Sequence, residues 1–111
     1  MGNRARAAEK AARMKFLNQR ALSEGRNSIT LREARKNVYL TTEQVADIAG
    51  IDERELEELE IDSTEAEIYL FNKLCSIYRV SISHVFAGRE EDLLKARIEF
   101  YREEALQRVT R

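Results

Sequence analysis

The stretch LTTEQVADIAGIDERELEELEI, residues 40–61, reads as two short helices joined by a turn at Gly50. Thr41 followed three residues later by Gln44 forms a capping box, in which the Thr hydroxyl and the Gln side chain each satisfy a backbone N–H that a new helix leaves free. Val45, Ile48 and Ala49 recur at helical spacing and predict an inward face. Gly50 can take the left-handed conformation that ends a helix. Asp52 with Glu55 repeats the box for a second helix, whose inward face is predicted to be Leu56 and Leu59. A turn this short forces the two helices to approach closely near Ala46, where a small side chain is required. Two helices so joined have the shape that lets the second enter the DNA major groove.

The charge of that second helix points elsewhere. Between residues 52 and 60 it carries Asp52, Glu53, Glu55, Glu57, Glu58 and Glu60 against the single cation Arg54. A helix that meets phosphates normally presents Lys or Arg.

The surrounding residues extend the pattern. Thr30 and Glu33 form another capping box, opening a helix that includes Leu31-Arg32-Glu33-Ala34-Arg35. Ser63 to Glu67 reads as a further capped start, followed by the stripe Ile68, Phe71, Leu74, Cys75 and Tyr78 of a core helix ending near Arg79. A short helix over residues 80–86 is expected, with Ser81 as its cap and Phe86 driven into the core. His84 on that element is expected at or near the surface.

These residues resemble the lambda-repressor-like (Cro and xenobiotic-response-element type) helix-turn-helix family, in particular its phage and mobile-element repressors. The resemblance runs from Ile29 to Gly88. It is carried by the first-helix motif at Leu31 to Arg35, by Leu40-Thr41, Val45-Ala46, Gly50-Ile51 and Leu56, and by Asp62-Ser63, Leu70, Lys73-Leu74, Ile77-Tyr78, Val80-Ser81 and Val85-Phe86 downstream. It implies an all-α, five-helix domain over residues 29–88, with an additional basic N-terminal helix or arm (1–28) and a C-terminal helix (89–111) for packing or dimerisation.

By that resemblance, Thr42 stands where the family often contacts a phosphate, and Arg54 would address guanine. Glu53 or Glu57 would accept from cytosine amino groups, while Arg32, Arg35, Lys36, Arg4 and Arg6 neutralise phosphates. The chain departs from the family in placing acids where a mixture of Ser, Arg, Thr, Asn and Lys is usual, and Val38-Tyr39 where Gly is common.

Two functions follow as expectations. One is a small DNA-binding transcriptional regulator, a homodimer on double-stranded DNA. The other keeps the fold but not the DNA reading, leaving an interaction module whose acidic helix docks on a basic protein partner as an antirepressor or DNA mimic.

Composition agrees with a soluble helical chain. Of 111 residues 43% are hydrophobic and 35% charged, with four Gly and no Pro. No apolar run approaches the roughly 20 residues that span a bilayer, so a cytoplasmic protein without membrane contact is expected.

The net charge of −1 hides segregation: residues 1–40 balance to +7, residues 41–70 to −10 and the remainder to +2. Opposite blocks of this kind attract within a molecule, between two copies, or toward separate partners.

Residues 3–23 read as one helix with a thin apolar stripe of Ala5, Ala8, Ala12, Phe16, Leu17 and Ala21, closed by Gly25-Arg26-Asn27-Ser28. It would either pack on its own domain or a dimer partner, or serve as an arm on phosphate. The C-terminal helix carries Leu93, Leu94, Ile98, Phe100, Tyr101, Leu106 and Val109, more apolar surface than the preceding domain requires. Packing on the N-terminal helix and dimerisation are both open.

No catalytic pattern emerges. One His and one Cys on different elements, no Gly-rich phosphate loop and no paired Cys motif give an expectation of no enzyme, no metal site and no cofactor. The lone Cys75, between Leu74 and Ile77, is expected as a buried core thiol.

Overall fold

The computed structural model describes residues 28–110, so the N-terminal helix expected over residues 3–23, with Arg4 and Arg6, lies outside the described residues. The regular elements of the described residues are all helices, with no strand. In chain order they form α1 (Leu31–Asn37), α2 (Thr42–Ala49), α3 (Glu53–Ile61), α4 (Ile68–Ile77), a 3-10 turn (Ile82–His84) and α5 (Glu90–Val109).

Two of the expected capping boxes are present. The Glu33 amide donates to Thr30 Oγ1 at 3.0 Å while the Thr30 amide donates to Glu33 Oε1 at 2.9 Å. Thr41 and Gln44 exchange the same two bonds at the start of α2. Gly50 closes α2 at φ 73°, a conformation glycine adopts without the Cβ clash that penalises other residues.

The other expected caps are absent. Asp52 occupies the N-cap of α3 but makes no side-chain cap bond, and Glu55 points to solvent. Ser63 does not open α4; its Oγ donates to the Gly88 carbonyl and accepts from the Gly88 amide, joining the exit of α3 to the approach of α5. The helix begins instead at Ile68 after Glu67. Ser81 bonds to Ser83 rather than capping the turn that follows it, and that turn is a single 3-10 turn where a short α-helix was expected.

One apolar cluster joins the first four helices: Leu31, Ala34, Val45, Ala49, Leu56, Phe71, Leu74, Cys75, Tyr78 and Val85. Fully burying a side chain such as Leu56 or Leu74 stabilises by about 1.5–3 kcal/mol. Ala46 is buried, as the close approach near Gly50 requires. Ile48 is not, being 60% exposed. The inward arc of α2 is set by Val45, Ala46 and Ala49, and at 100° per residue Ile48 lies beyond its edge.

Phe86 is buried as expected, but with Leu93 and Ala96 of α5 in a second cluster. The segment leading into α1 is pinned to this region by two bonds of 2.9 Å, from the Ile29 amide to the His84 carbonyl and from the Phe86 amide to the Ile29 carbonyl. Arg97 completes the attachment of α5, donating to both carboxylate oxygens of Glu33 and to the Ser28 carbonyl. The Arg97 guanidinium, with the Thr30 amide beside it, holds the Glu33 carboxyl below its ordinary range despite partial burial.

Candidate interaction surface

The two faces of α3 differ in chemistry. Its inward face is Leu56 and Glu60, with Leu59 half-buried. Glu60 is only 3% exposed. Four residues beyond Leu56, it lies on the same side of the helix and so shares its burial. Of the six acids between residues 52 and 60, Glu60 therefore does not belong to the outward charge.

Its partner is Arg35 of α1, which also changes that residue's expected role. Arg35 Nε donates to Glu60 Oε2 at 2.7 Å and Nη2 to Oε1 at 3.1 Å, while Nη1 donates to the Leu40 carbonyl at 2.9 Å. The carboxylate raises the Arg35 guanidinium above its ordinary value and locks it in the charged form. Buried and fully engaged, Arg35 is not free to neutralise a phosphate.

Arg32 stands on the same side of α1. Its Nε lies 2.8 Å from Glu90 Oε2 and 3.9 Å from Glu60 Oε1, so it links α1 to both α3 and the start of α5. The Tyr78 hydroxyl is buried near this group and has no hydrogen-bond partner among the described residues. Burial first, and the Glu60 carboxylate second, push its phenol well above the usual range and keep it neutral.

The outward face of α3 carries Glu53, Arg54, Glu55, Glu57 and Glu58, and Asp52 stands exposed just before it. Glu53 is tied back across the turn, accepting a 2.8 Å bond from the Thr42 hydroxyl. Thr42, expected to meet a phosphate, thus already holds an anion and is half-buried. Arg54 is exposed and makes no ion pair among the described residues. Lys36 at the end of α1 is exposed as well. Lys73 of α4 reaches the Ala49 carbonyl at 3.2 Å, satisfying the end of α2.

Of the expected set, the structure brings Thr42 and Glu53 together, leaves Glu57, Arg54 and Lys36 in solvent, and diverts Arg35 and most of Arg32 to internal pairs. The Arg35 and Glu60 pair escaped sequence reading because both sit in polar runs. The one available signal was the spacing of Glu60 from Leu56.

Cys75 is buried among core side chains, and burial alone pushes its thiol up, which disfavours the reactive thiolate. His84 is exposed. Among the described residues no group of three or more His, Cys, Asp or Glu could hold a metal ion, and no helix is long and apolar enough to cross a membrane. In comparisons with known proteins, no family model matches the chain and no curated protein matches it in sequence.

Proposed function

We propose that this chain is a small regulatory module built on a helix-turn-helix scaffold of the lambda-repressor-like kind, and that it acts by laying α3 against a basic protein surface in the manner of an antirepressor or DNA mimic. One observation carries the reading: Glu53, Glu57 and Glu58 all face solvent, on the helix that would otherwise meet the phosphates of DNA. Only Arg54 opposes them there. A groove lined with phosphates would repel such a helix, whereas a Lys- and Arg-rich protein surface complements it. Exposed Ile48 on the adjacent α2 adds apolar contact area of the kind protein interfaces bury.

A second reading, a DNA-binding transcriptional regulator of the phage-repressor type, is favoured by the exposure of Arg54 and Lys36 and by the basic block that includes Arg4 and Arg6. Arg54 would then address guanine, with Glu53 or Glu57 on cytosine.

The two readings part in one experiment. Binding to random and native-locus duplex DNA is measured by fluorescence anisotropy at low and high salt, beside cross-linking mass spectrometry on the chain as expressed in its host. Docking predicts no DNA binding even at low salt, with cross-links from α3 to a basic protein that vanish in the Glu53→Lys, Glu57→Lys, Glu58→Lys variant. DNA binding with a steep salt slope, weakened by Arg54→Ala, would overturn it.

A further inference from the structure

The outward face of α3 ends on an apolar hollow. Ile61, one turn beyond Glu57 and Glu58 on the same side of the helix, is 61% exposed. With Leu94 and Ile98 of α5 it lines a hollow of about 270 Å³, and Ile98 is itself 67% exposed. Two chemistries therefore lie side by side, an anionic strip of Glu57 and Glu58 beside Arg54 and an apolar strip that the bundle leaves in solvent. The charges on the rim of the hollow are already matched. Glu91 takes Arg89 at 3.2 Å and Lys95 at 2.7 Å, and Glu90 takes Arg32 at 2.8 Å. Glu57 and Glu58, by contrast, make no ion pair among the described residues.

We propose that the occupant of this surface is the chain's own N-terminal segment, residues 1–27, whose cations lie along the α3 acids while Phe16 and Leu17 fill the hollow. Charge is the first argument. The segment carries Arg4, Arg6, Lys10, Arg13, Lys15, Arg20 and Arg26 against Glu9 and Glu24, a balance of +5, whereas residues 28–110 balance to −7. Spacing is the second. Arg13 and Arg20 stand three or four residues from both Phe16 and Leu17, so at helical spacing one face offers two apolar side chains flanked by cations. That is the complement of a hollow beside acids.

The third argument is where the segment joins the bundle. Arg97 Nη2 donates to the Ser28 carbonyl at 2.6 Å, so the chain before Ser28 departs beside the middle of α5. Arg97 precedes Ile98, and its neighbours on the helix surface include Leu94 and the 55% exposed Tyr101. From Ser28 back to Leu17 the chain reaches about 16 Å as a helix and about 36 Å extended. A hollow that begins at Ile98 is within that reach. Tethering of this kind gives an effective concentration of about millimolar, an advantage that a second copy or a separate protein lacks.

The docked segment covers the acids that a basic protein partner would use, so it competes with that partner from within the chain. This competition rests on the reading that α3 takes basic protein surfaces, whereas the docking does not, and the two are measured separately.

Docking is tested on the full chain by timed trypsin digestion, following cleavage after Lys10, Arg13, Lys15 and Arg20 by mass spectrometry. Two variants alter the surface and leave the cleavage sites as they are: Ile98→Asp, and Glu57→Lys combined with Glu58→Lys. All three positions are exposed, and continued protection of the buried Cys75 from a thiol reagent shows that the bundle is intact. Each variant should speed cleavage more than about tenfold, because cleavage follows the population of undocked segment. Competition is read by fluorescence anisotropy of a labelled oligolysine peptide, which should bind Ile98→Asp several-fold more tightly than the wild type.

A wild-type segment cleaved as fast as in either variant overturns the proposal. So does protection that grows with chain concentration, which would make a second copy the occupant. Equal oligolysine affinity for wild type and Ile98→Asp overturns the competition. Oligolysine that binds neither protein, beside a protected wild-type segment, would instead remove the reading of α3 and leave the docking standing.

Discussion

Replacing Glu60 with Leu leaves the Arg35 guanidinium buried beside Tyr78 with its Leu40 carbonyl contact but no counter-charge, and the structure sets the size of the penalty. The Glu60 side chain is 1% and the Arg35 side chain 11% exposed, so water cannot replace the lost carboxylate. Breaking a buried pair by removing one partner costs about 3–5 kcal/mol. Glu60→Leu falls at the upper end, because both bonds to Arg35 disappear. Arg35→Met falls nearer the lower end, because Arg32 Nε, 3.9 Å from Glu60, still offsets part of the stranded charge.

The double variant removes both charges and fills their space with apolar groups. It should lie within about 1 kcal/mol of the wild type, as such replacements are often neutral or better. Urea unfolding followed by circular dichroism measures all four corners of the cycle, and the interaction between the sites should be several kcal/mol and favourable to the pair. At about 4–8 °C per kcal/mol for a domain of this size, each single variant should melt more than about 12 °C below the wild type. Single variants within about 1 kcal/mol of the wild type, or a double variant equal to the sum of the singles, would refute the reasoning that these helices are joined by a desolvated charge pair.

Three further outcomes can be checked with the same assay. Tyr39 holds φ 61° with its side chain 92% exposed, so Tyr39→Gly removes strain without losing packing. It should raise stability by up to about 1 kcal/mol, the left-handed cost less the added freedom of the unfolded chain. Gly88→Ala brings a Cβ within 2.8 Å of the buried Phe86 ring; overpacking of this kind should cost about 1–3 kcal/mol, visible as a lower urea midpoint at unchanged m.

Glu33, whose carboxyl is depressed chiefly by Arg97, binds its proton less readily when folded than its ordinary value of 4.5. Its stabilising effect is therefore complete above that value and lost as pH falls through the lower folded value. Glu33→Gln should lower stability at neutral pH and flatten the acid limb of the stability profile; an unchanged limb would remove Glu33 from the account.

Much of this architecture is visible in local chemistry. The Thr30 with Glu33 and Thr41 with Gln44 boxes, Gly50, Ala46 and Phe71, Leu74, Cys75 and Tyr78 of the expected stripe all depend on neighbours within one or two turns, and all stand where their spacing puts them, whereas Ile68, expected in the same stripe, is 64% exposed in the first turn of α4. Elements whose partners are distant in sequence were less legible. Ser63 looks like a helix cap until Gly88 takes both its bonds, and Arg35 looks like a surface cation until α3 brings Glu60 beside it. The turn between α1 and α2 was also illegible, because Tyr39 takes the left-handed conformation at φ 61° without the Gly or Asn that usually announces it. For the site, sequence identified which residues α3 presents but not which of its charges point inward.

The outward acids of α3 carry an electrostatic cost within the helix itself. Glu53 with Glu57, and Glu55 with Glu58, stand at spacings that place like charges side by side, each pair destabilising a helix by about 0.2–0.5 kcal/mol. Glu57 and Glu58 lie in the half of the helix where the dipole disfavours anions, and no cation occupies its last turn. The fold offsets this with Leu56, Leu59 and the Glu60 pair on the inner side, so α3 is held in place by its neighbours and not by its own surface. A helix arranged this way is stabilised by whatever brings positive charge to its outer side. A basic protein surface would supply that, through five acidic side chains and one Arg that the remainder of the bundle leaves exposed.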